Sequence, residues 1–476
     1  MEYDKYKIKT IVQKNAITAI VYLKAGVDCM GKYTVAIHGT GFIGLVSGCC
    51  FAVKNIKAIN STFNQEKFEK INQGISPFFE NGLQELLEDA VNTGNFKCLM
   101  GRDQAVQESD ISMIAVGTPM RADNSIDLQF IEKTARQLGQ ALRNKEDYHL
   151  IVTRSTVVPG TTRNLVGKLV EETSGKKIGE DFGLCMQPEF LAEGRSIQDT
   201  LEPDRIIIGE LDTRSGDILQ ELYEEFYGDH LKECSILRMN LESAELVKYG
   251  NNCLLSTKIS YANEMARIAE LVPGVDIVKV IKGVGLDYRI NEQFLGPGVG
   301  FGGSCFPKDV NAITAFAKSK GYNPRLFRAV LDINDDQAIH TVEILQEKIP
   351  DLTNKRITLL GLSFKPGTDD MRYAPSIRIA NHLIKQGAIV VGYDPVAETE
   401  AQKVLGESIL YADTIQEALK GADAAIVVTE WDEIASISPE TFKSHMKTPI
   451  VVDGRRVYEP TIYMNHIELL SMGRKN

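Results

Sequence analysis

No apolar stretch of this 476-residue chain approaches the length needed to cross a bilayer, which argues against membrane insertion. The run Ala16–Leu23 is short, and Glu2 and Asp4 precede it, so it makes a poor secretory signal. Positive charge is in deficit. Lys and Arg total 53 against 64 Asp and Glu, and the net charge of −11 argues against a nucleic-acid surface. An anionic substrate would then need a local cationic pocket. Cysteine is sparse too. Cys29, Cys49, Cys50, Cys98, Cys185, Cys234, Cys253 and Cys305 contain no C-x-x-C pair and no His/Cys cluster at zinc spacing. Neither a disulfide framework nor a metal site is expected, and a reducing, cytoplasmic compartment is. Low-complexity tracts and short repeats are also missing.

What remains is a globular composition, 43% hydrophobic and 25% charged, on a chain long enough for two or three domains. Residues 1–32 fit no unit of the pattern that follows. They are read as an N-terminal extension, mobile or a product of start-site choice. From Tyr33 onward β-rich runs alternate with helical ones: Tyr33–His38, Ile111–Val116, Leu128–Leu142, His149–Thr153 and Thr162–Thr173. Such alternation predicts a parallel sheet with crossover helices, continuing to about Leu237. A long helical segment, Ser243–Leu271, then leads to further helices at Asp276–Gly283 and Val310–Gly321. The alternation restarts at Arg356–Leu360 and includes Ser376–Gln386, Ile389–Tyr393, Ile415–Lys420, Ala424–Val428 and Ile450–Val452. The expected fold is α/β: two Rossmann-like doubly wound domains, 33–237 and 351–476, joined by a central helical domain, 238–350, with a long helix.

Gly39-Thr40-Gly41-Phe42-Ile43-Gly44 directly follows the first strand and opens an apolar helix. Glycines in that setting allow a tight turn, close approach of a pyrophosphate and close helix packing, so a dinucleotide cofactor is expected here. The acid that would bind the ribose 2′-hydroxyl is missing. Thr62 stands where it should end the second strand, which leaves NAD less sharply separated from NADP.

Gly302-Gly303-Ser304-Cys305-Phe306-Pro307-Lys308-Asp309 offers a candidate nucleophile. The segment Leu295–Gly303 is glycine-rich, and Pro307 suits the first turn of a helix. Cys305 would then lie at a helix N-terminus, where a thiol is more easily ionised, with Asp309 one turn beyond. A glycine turn beside a buried structural cysteine is the plainer alternative. Lys248 and Asn252 share a helix face and could donate to a developing oxyanion, although a solvated polar face has the same pattern. Glu189 and Glu193, in Gln187-Pro188-Glu189-Phe190-Leu191-Ala192-Glu193-Gly194, follow the strand Gly183–Met186, where α/β sheets place their ligands. Arg154-Ser155-Thr156 and Gly117-Thr118-Pro119 end other strands in the same way.

These segments resemble the nucleotide-sugar 6-dehydrogenase (UDP-glucose/GDP-mannose dehydrogenase) family. The likeness runs from about Tyr33 to Val457 and also includes Gly361-Leu362-Ser363-Phe364-Lys365 and Asp453-Gly454-Arg455-Arg456. Three positions depart from the family pattern: Thr62 for the usual acid, Gln187 for Asn, and Asn291 for the Gly that follows Arg289-Ile290. The resemblance implies a four-electron, NAD-dependent oxidation of a sugar C6 hydroxymethyl to the carboxylate, through a thiohemiacetal and a thioester on Cys305. It implies that Lys248 and Asn252 stabilise oxyanions, and that Asp309, Glu189 and Thr156 position water or move protons. It assigns Gly39, Gly41, Phe42, Ile43, Gly44, Thr62, Thr118, Ser155, Glu193 and Lys308 to the cofactor. A UDP-sugar would meet Glu189, Phe190, Leu191, Lys248, Asn252, Phe301, Gly302, Phe364, Lys365, Arg372 and Arg455, with Arg289 reaching a neighbouring subunit. A homodimer or higher homo-oligomer is therefore expected. Within the family, Asp370–Ser376 and Glu430-Trp431-Asp432 look more like the enzymes that act on UDP-glucose. UDP-N-acetylmannosamine, UDP-N-acetylglucosamine and GDP-mannose remain alternatives. Outside it, a two-electron hydroxyacid dehydrogenase would not need Cys305, and a non-catalytic dinucleotide sensor would not need the catalytic set.

Overall fold

Residues 31–232 and 234–475 are described by a computed structural model. Among the described residues, two compact units are distinguished, 31–121 with Ile126–Lys248, and Ala122–Ser125 with 249–475. Residues 1–30 of the expected extension lie outside the described residues. Gly31 and Lys32 belong with the first unit: Gly31 N–H donates to Asn55 O, and Lys32 pairs with Glu221.

The first unit is built on one sheet. Its strands are β1 (Thr34–His38), β2 (Lys57–Thr62), β3 (Phe96–Met100), β4 (Ile111–Ile114), β5 (His149–Thr153), β6 (Phe182–Met186), β7 (Arg205–Glu210) and β8 (Ser235–Asn240), in the order β3-β2-β1-β4-β5-β6-β7-β8. Val35, Ala36 and Ile37 of β1 are fully buried, as an unbroken apolar run requires in a strand covered on both faces. The expectation of an all-parallel sheet needs one correction, because β7 pairs with β6 antiparallel. The connection from the carboxyl end of β6, which carries the short helix Ser196–Leu201, returns to the same end of the sheet, so β7 runs back. At the end of β1, buried His38 lies between Ser61 and Ser112, with Nδ1 2.8 Å and Nε2 3.0 Å from their hydroxyl oxygens. Ser112 is also 2.8 Å from Nε2 of buried His149.

Helix α1 (Phe42–Val53) follows β1, and α2 (Leu241–Glu270) starts directly after β8. With 30 residues, α2 is about 45 Å long. The second unit contains α3 (Ile277–Gly285), α4 (Phe306–Ser319), α5 (Arg325–Gln346) and a second sheet. Helix α5 goes beyond the sequence reading, although Asn334, Ala338, Thr341, Val342 and Leu345 are buried at helical spacing. The sheet consists of β9 (Arg356–Leu360), β10 (Ile389–Tyr393), β11 (Leu410–Tyr411), β12 (Ala424–Val427), β13 (Ile450–Asp453) and β14 (Glu468–Ser471), ordered β11-β10-β9-β12-β13-β14. Its described pairs are all parallel.

Each sheet reverses its strand order once, between β1 and β4 in the first unit and between β9 and β12 in the second. Open α/β sheets bind ligands outside the carboxyl ends of such strands. No described helix is long and apolar enough to cross a membrane.

Candidate functional site

The glycine loop at the tip of β1 has a separate reason for each glycine. Gly39 has φ +139°, and a Cβ there would lie 2.2 Å from Ala115 O after β4. A Cβ on Gly44 would lie 2.3 Å from Gly39 O, whereas one on Gly41 would meet nothing within 4 Å. The loop is closed where it packs and open where a phosphate would approach. No side chain caps the N-terminus of α1, where Phe42 and Ile43 start the helix. Asn60 braces the loop from β2, donating through Nδ2 to Gly39 O and Gly44 O at 3.0 Å each. Its Oδ1 occupies the position where Gly48 has no Cβ; one would lie only 1.9 Å away. These residues fit a dinucleotide pyrophosphate.

Thr62 ends β2, and Thr40 Oγ1 donates to Thr62 Oγ1 across 3.3 Å. Thr118 Oγ1 donates to Thr156 O, and Ser155 Oγ donates to Val116 O, so both hydroxyls tie together the loops after β4 and β5.

The loop after β6 surrounds a buried charge cluster. Lys248 Nζ, on α2, donates to Glu189 Oε1 at 2.9 Å and to Glu189 O at 2.7 Å. Leu191 N–H donates to Glu189 Oε2 at 2.7 Å. Burial pushes the Glu189 carboxyl up, but the Lys248 charge, the hydrogen bonds from Lys248 and Leu191, and the Arg154 charge together hold it below its usual range. Phe190 packs beneath two cations: its ring centroid is 4.0 Å from the Arg205 guanidinium and 5.6 Å from Lys248 Nζ. Glu193 is half-buried on the same loop. Arg154 Nη1 donates to Gln187 Oε1 and to Tyr223 OH at 2.8 and 2.9 Å. The departure at Gln187 therefore places an amide that reaches a buried guanidinium. The solvated-face alternative for Lys248 and Asn252 fails, since both are buried.

In the second unit Cys305 is the N-cap of α4 and Pro307 lies in its first turn, as the spacing predicts. Asp309 N–H donates to Cys305 O, and the Asp309 carboxylate is fully buried. Asp309 Oδ2 accepts from Asn252 Nδ2 at 2.6 Å, and Oδ1 pairs with Lys308. Cys305 itself is partly exposed, with Ser304 Oγ 3.6 Å from Sγ, whereas Cys49, Cys50, Cys98, Cys185 and Cys253 are buried. Burial pushes the Cys253 thiol up to about 12. The cysteine loop is seated on the segment after β9. A Cβ on Gly302 would lie 2.5 Å from Tyr373 O. Gly303, at φ +82°, presses on the Phe364 ring, and its N–H donates to Arg372 O. Phe301 is fixed by Asn334, which accepts from its N–H and donates to its carbonyl.

At the tip of β10, buried Asp394 organises the loops after β9 and β12. It accepts from Leu362 N–H, Ser363 N–H and Trp431 Nε1, which places it in turn architecture. Lys365 Nζ stands 5.6 Å above the Phe364 ring, and half-exposed Arg372 pairs with Asp370. The neighbouring arginines point to different tasks. Arg455 donates to Val428 O and lies 3.1 Å from Glu430, beside the loop after β12. Arg456 is turned away onto Asp276 and Met472 O. Arg289 is exposed and paired with Asp287. Asn291 has φ +62°, a left-handed conformation that Asn tolerates better than most residues, which explains how it stands in for Gly.

Family profiles match three consecutive stretches: the UDP-glucose/GDP-mannose dehydrogenase NAD binding domain over residues 33–227, its central domain over 242–336, and its UDP binding domain over 358–460. The chain belongs to the UDP-glucose/GDP-mannose dehydrogenase family. It is an NAD-dependent nucleotide-sugar 6-dehydrogenase with a UDP-sugar binding domain. The UDP-glucose 6-dehydrogenase AglM of Haloferax volcanii is 41% identical over 89% of this chain and 96% of its own length. A GDP-mannose 6-dehydrogenase of Pseudomonas putida is 39% identical over 76% of this chain and 80% of its own. Among solved structures, a UDP-glucose dehydrogenase from Pyrobaculum islandicum superposes with a TM-score of 0.86 at 34% identity, covering 95% of this chain and all of that one.

Proposed function

We propose that this dehydrogenase oxidises the C6 hydroxymethyl of UDP-glucose to the carboxylate of UDP-glucuronate, consuming two NAD+ and one water. The observation that carries the reading is the setting of Cys305: a partly exposed thiol on the N-cap residue of a helix, preceded by glycines and one turn from a buried Asp309–Asn252 pair. Bound NAD+ supplies the hydride acceptor in each of the two oxidations. In the alcohol step, a group of the protein takes the hydroxyl proton; Glu189 is assigned to proton handling there through its direct hydrogen bond to Lys248. Cys305 Sγ then adds to the C6 aldehyde, and the new oxygen takes a proton to complete the thiohemiacetal. The second oxidation leaves a thioester. Water attacks its carbonyl, the C–S bond breaks, and the thiol and carboxylate are released. Lys248 and Asn252 are assigned to the oxyanions, and Asp309 and Thr156 to the hydrolytic water. Phe364, Lys365, Arg372 and Arg455 are assigned to the nucleotide, in the profile-matched UDP binding domain. The division 33–237, 238–350 and 351–476 is part of the same reading, supported by profile matches over 33–227, 242–336 and 358–460.

The same reading includes an oligomer. Leu254, Tyr261 and Ile268 recur every seventh residue along α2 with relative exposures of 62%, 46% and 49%, an apolar stripe suited to a second copy of the chain. The preference for UDP-glucose rests on the AglM-like relatives and on the Asp370–Ser376 and Glu430–Asp432 segments. GDP-mannose is the second reading, supported by the Pseudomonas relative. Incubating the protein with UDP-glucose, GDP-mannose, UDP-N-acetylmannosamine and UDP-N-acetylglucosamine, and following NADH, tests both. A kcat/KM for UDP-glucose below that for any other sugar would overturn the preference.

A further inference from the structure

The ribose end of the dinucleotide crevice has lost its acid and gathered positive charge. Thr62 replaces the carboxylate, and its hydroxyl is linked to Thr40 in the glycine loop. Lys67 reaches back from the helix Gln65–Asn72, and its Nζ lies 3.5 Å from Thr40 O. Phe63, immediately after Thr62, is about half exposed and carries two further cations. The Arg102 guanidinium lies 4.9 Å and Lys133 Nζ 5.6 Å from its ring centroid. Thr62 and Arg102 are neighbours across the sheet, since Thr62 registers with Met100 and Thr62 O accepts from Gly101 N–H.

Arg102 is the decisive residue. It is only 9% exposed, and its terminal nitrogens donate to the neutral acceptors Gln137 Oε1 and Thr134 Oγ1. Its Nε is buried with no hydrogen-bond partner. Among the described residues no carboxylate lies within ion-pair distance of Arg102, Lys67 or Lys133; Glu66 pairs with Lys70 and meets the Lys67 charge only at longer range. A buried cation without a counter-ion is costly, and an anion arriving with a ligand removes the cost. An acid at position 62 would have excluded such an anion by repulsion.

We propose that the tip of β2 is a 2′-phosphate subsite, formed by Thr62, Thr40, Lys67 and Arg102 with Lys133 at its rim, so that this enzyme accepts NADP as well as NAD. The proposal rests on the dinucleotide reading of the glycine loop and extends it to the adenosine ribose. Two hydroxyls and three cations are the donor set that a phosphate dianion requires, and Phe63 with Arg102 offers a flat face beside it.

The test is equilibrium binding of NADPH and NADH to the full-length protein, followed by reduced-nicotinamide fluorescence without sugar. In the wild type the NADPH Kd falls within about tenfold of the NADH Kd. Thr62→Asp raises the NADPH:NADH ratio of Kd by about a hundredfold, and Lys67→Ala raises it by about tenfold. Arg102→Gln should act in the same direction, but its burial puts folding at risk, so the two other variants carry the test. A wild-type NADPH Kd more than about a hundredfold above that for NADH overturns the subsite. So does a ratio that neither variant moves. Failure to bind NADH at all would instead remove the dinucleotide reading on which the subsite depends.

Discussion

Asn252 Nδ2 donates to Asp309 Oδ2 across 2.6 Å, so the long helix α2 and the helix that begins at Cys305 meet through a buried amide–carboxylate bond. Since Lys308 occupies the other carboxylate oxygen, Asp309 is held from both sides. Asp309→Asn keeps the shape and removes the charge. The expected result is a kcat lower by about 10²–10³-fold with KM for the sugar little changed, measured by steady-state NADH formation. A rise in KM alone would assign Asp309 to binding.

Cys305 is tested by stoichiometry. The wild type should reduce two cofactors per sugar and release little free aldehyde. Cys305→Ala removes the covalent anchor, so acid production should collapse, leaving at most a slow first oxidation. Cys305→Ser should also turn over poorly, because a hydroxyl is the weaker nucleophile and an oxygen ester hydrolyses less readily. Near-normal rates with a ratio of two in Cys305→Ala would end the thioester mechanism.

Lys365 and the two adjacent arginines should separate binding from stability. Lys365→Ala and Arg455→Ala should mainly raise KM for the nucleotide sugar, because they meet the part of it that does not react. Arg456→Ala should leave KM alone and lower stability by about 1–2 kcal/mol, since Asp276 loses its closest cation and keeps only Val278 N–H and the longer pair to Arg474. Thermal or urea unfolding beside the kinetics decides the assignment. A KM effect at Arg456 with unchanged stability would reverse it.

Acid should weaken the first unit through its buried histidines. Burial pushes His38 well below the ordinary imidazole value and His149 down to about 3. Between the unfolded value near 6.5 and those depressed values, the unfolded chain binds protons that the folded chain refuses. Stability is therefore full above the unfolded value and falls as the pH drops below it. The melting temperature should decline from pH 7 to pH 5, and His149→Gln should flatten that slope. A slope unchanged in His149→Gln would place the acid sensitivity elsewhere.

Much of this was legible because the informative residues lie at strand ends and helix starts, where sequence period and turn chemistry agree. Gly39–Gly44, Thr62 and the Cys305–Pro307–Asp309 spacing all fall where their neighbours require. Less legible were features made by distant segments meeting. Nothing local marks Arg102 as a buried cation beside Phe63, or separates Arg455 from Arg456, since their partners lie far away in sequence. The antiparallel β6–β7 pair escaped for a related reason. Strand direction depends on which end the connection returns to, and periodicity carries no such information.

The Asn60 amide has a consequence for how this sequence can vary. It fills the space a side chain at position 48 would need while holding two carbonyls of the cofactor loop. Neither position can mutate freely alone: a larger residue at 48 evicts the amide, and a smaller one at 60 leaves the loop unbraced. Their histories should be tied, with tolerated exchanges occurring as pairs. A library randomised at both positions and selected for NADH binding would reveal that dependence as correlated survivors. Independent survival at the two sites would show that the loop has another brace.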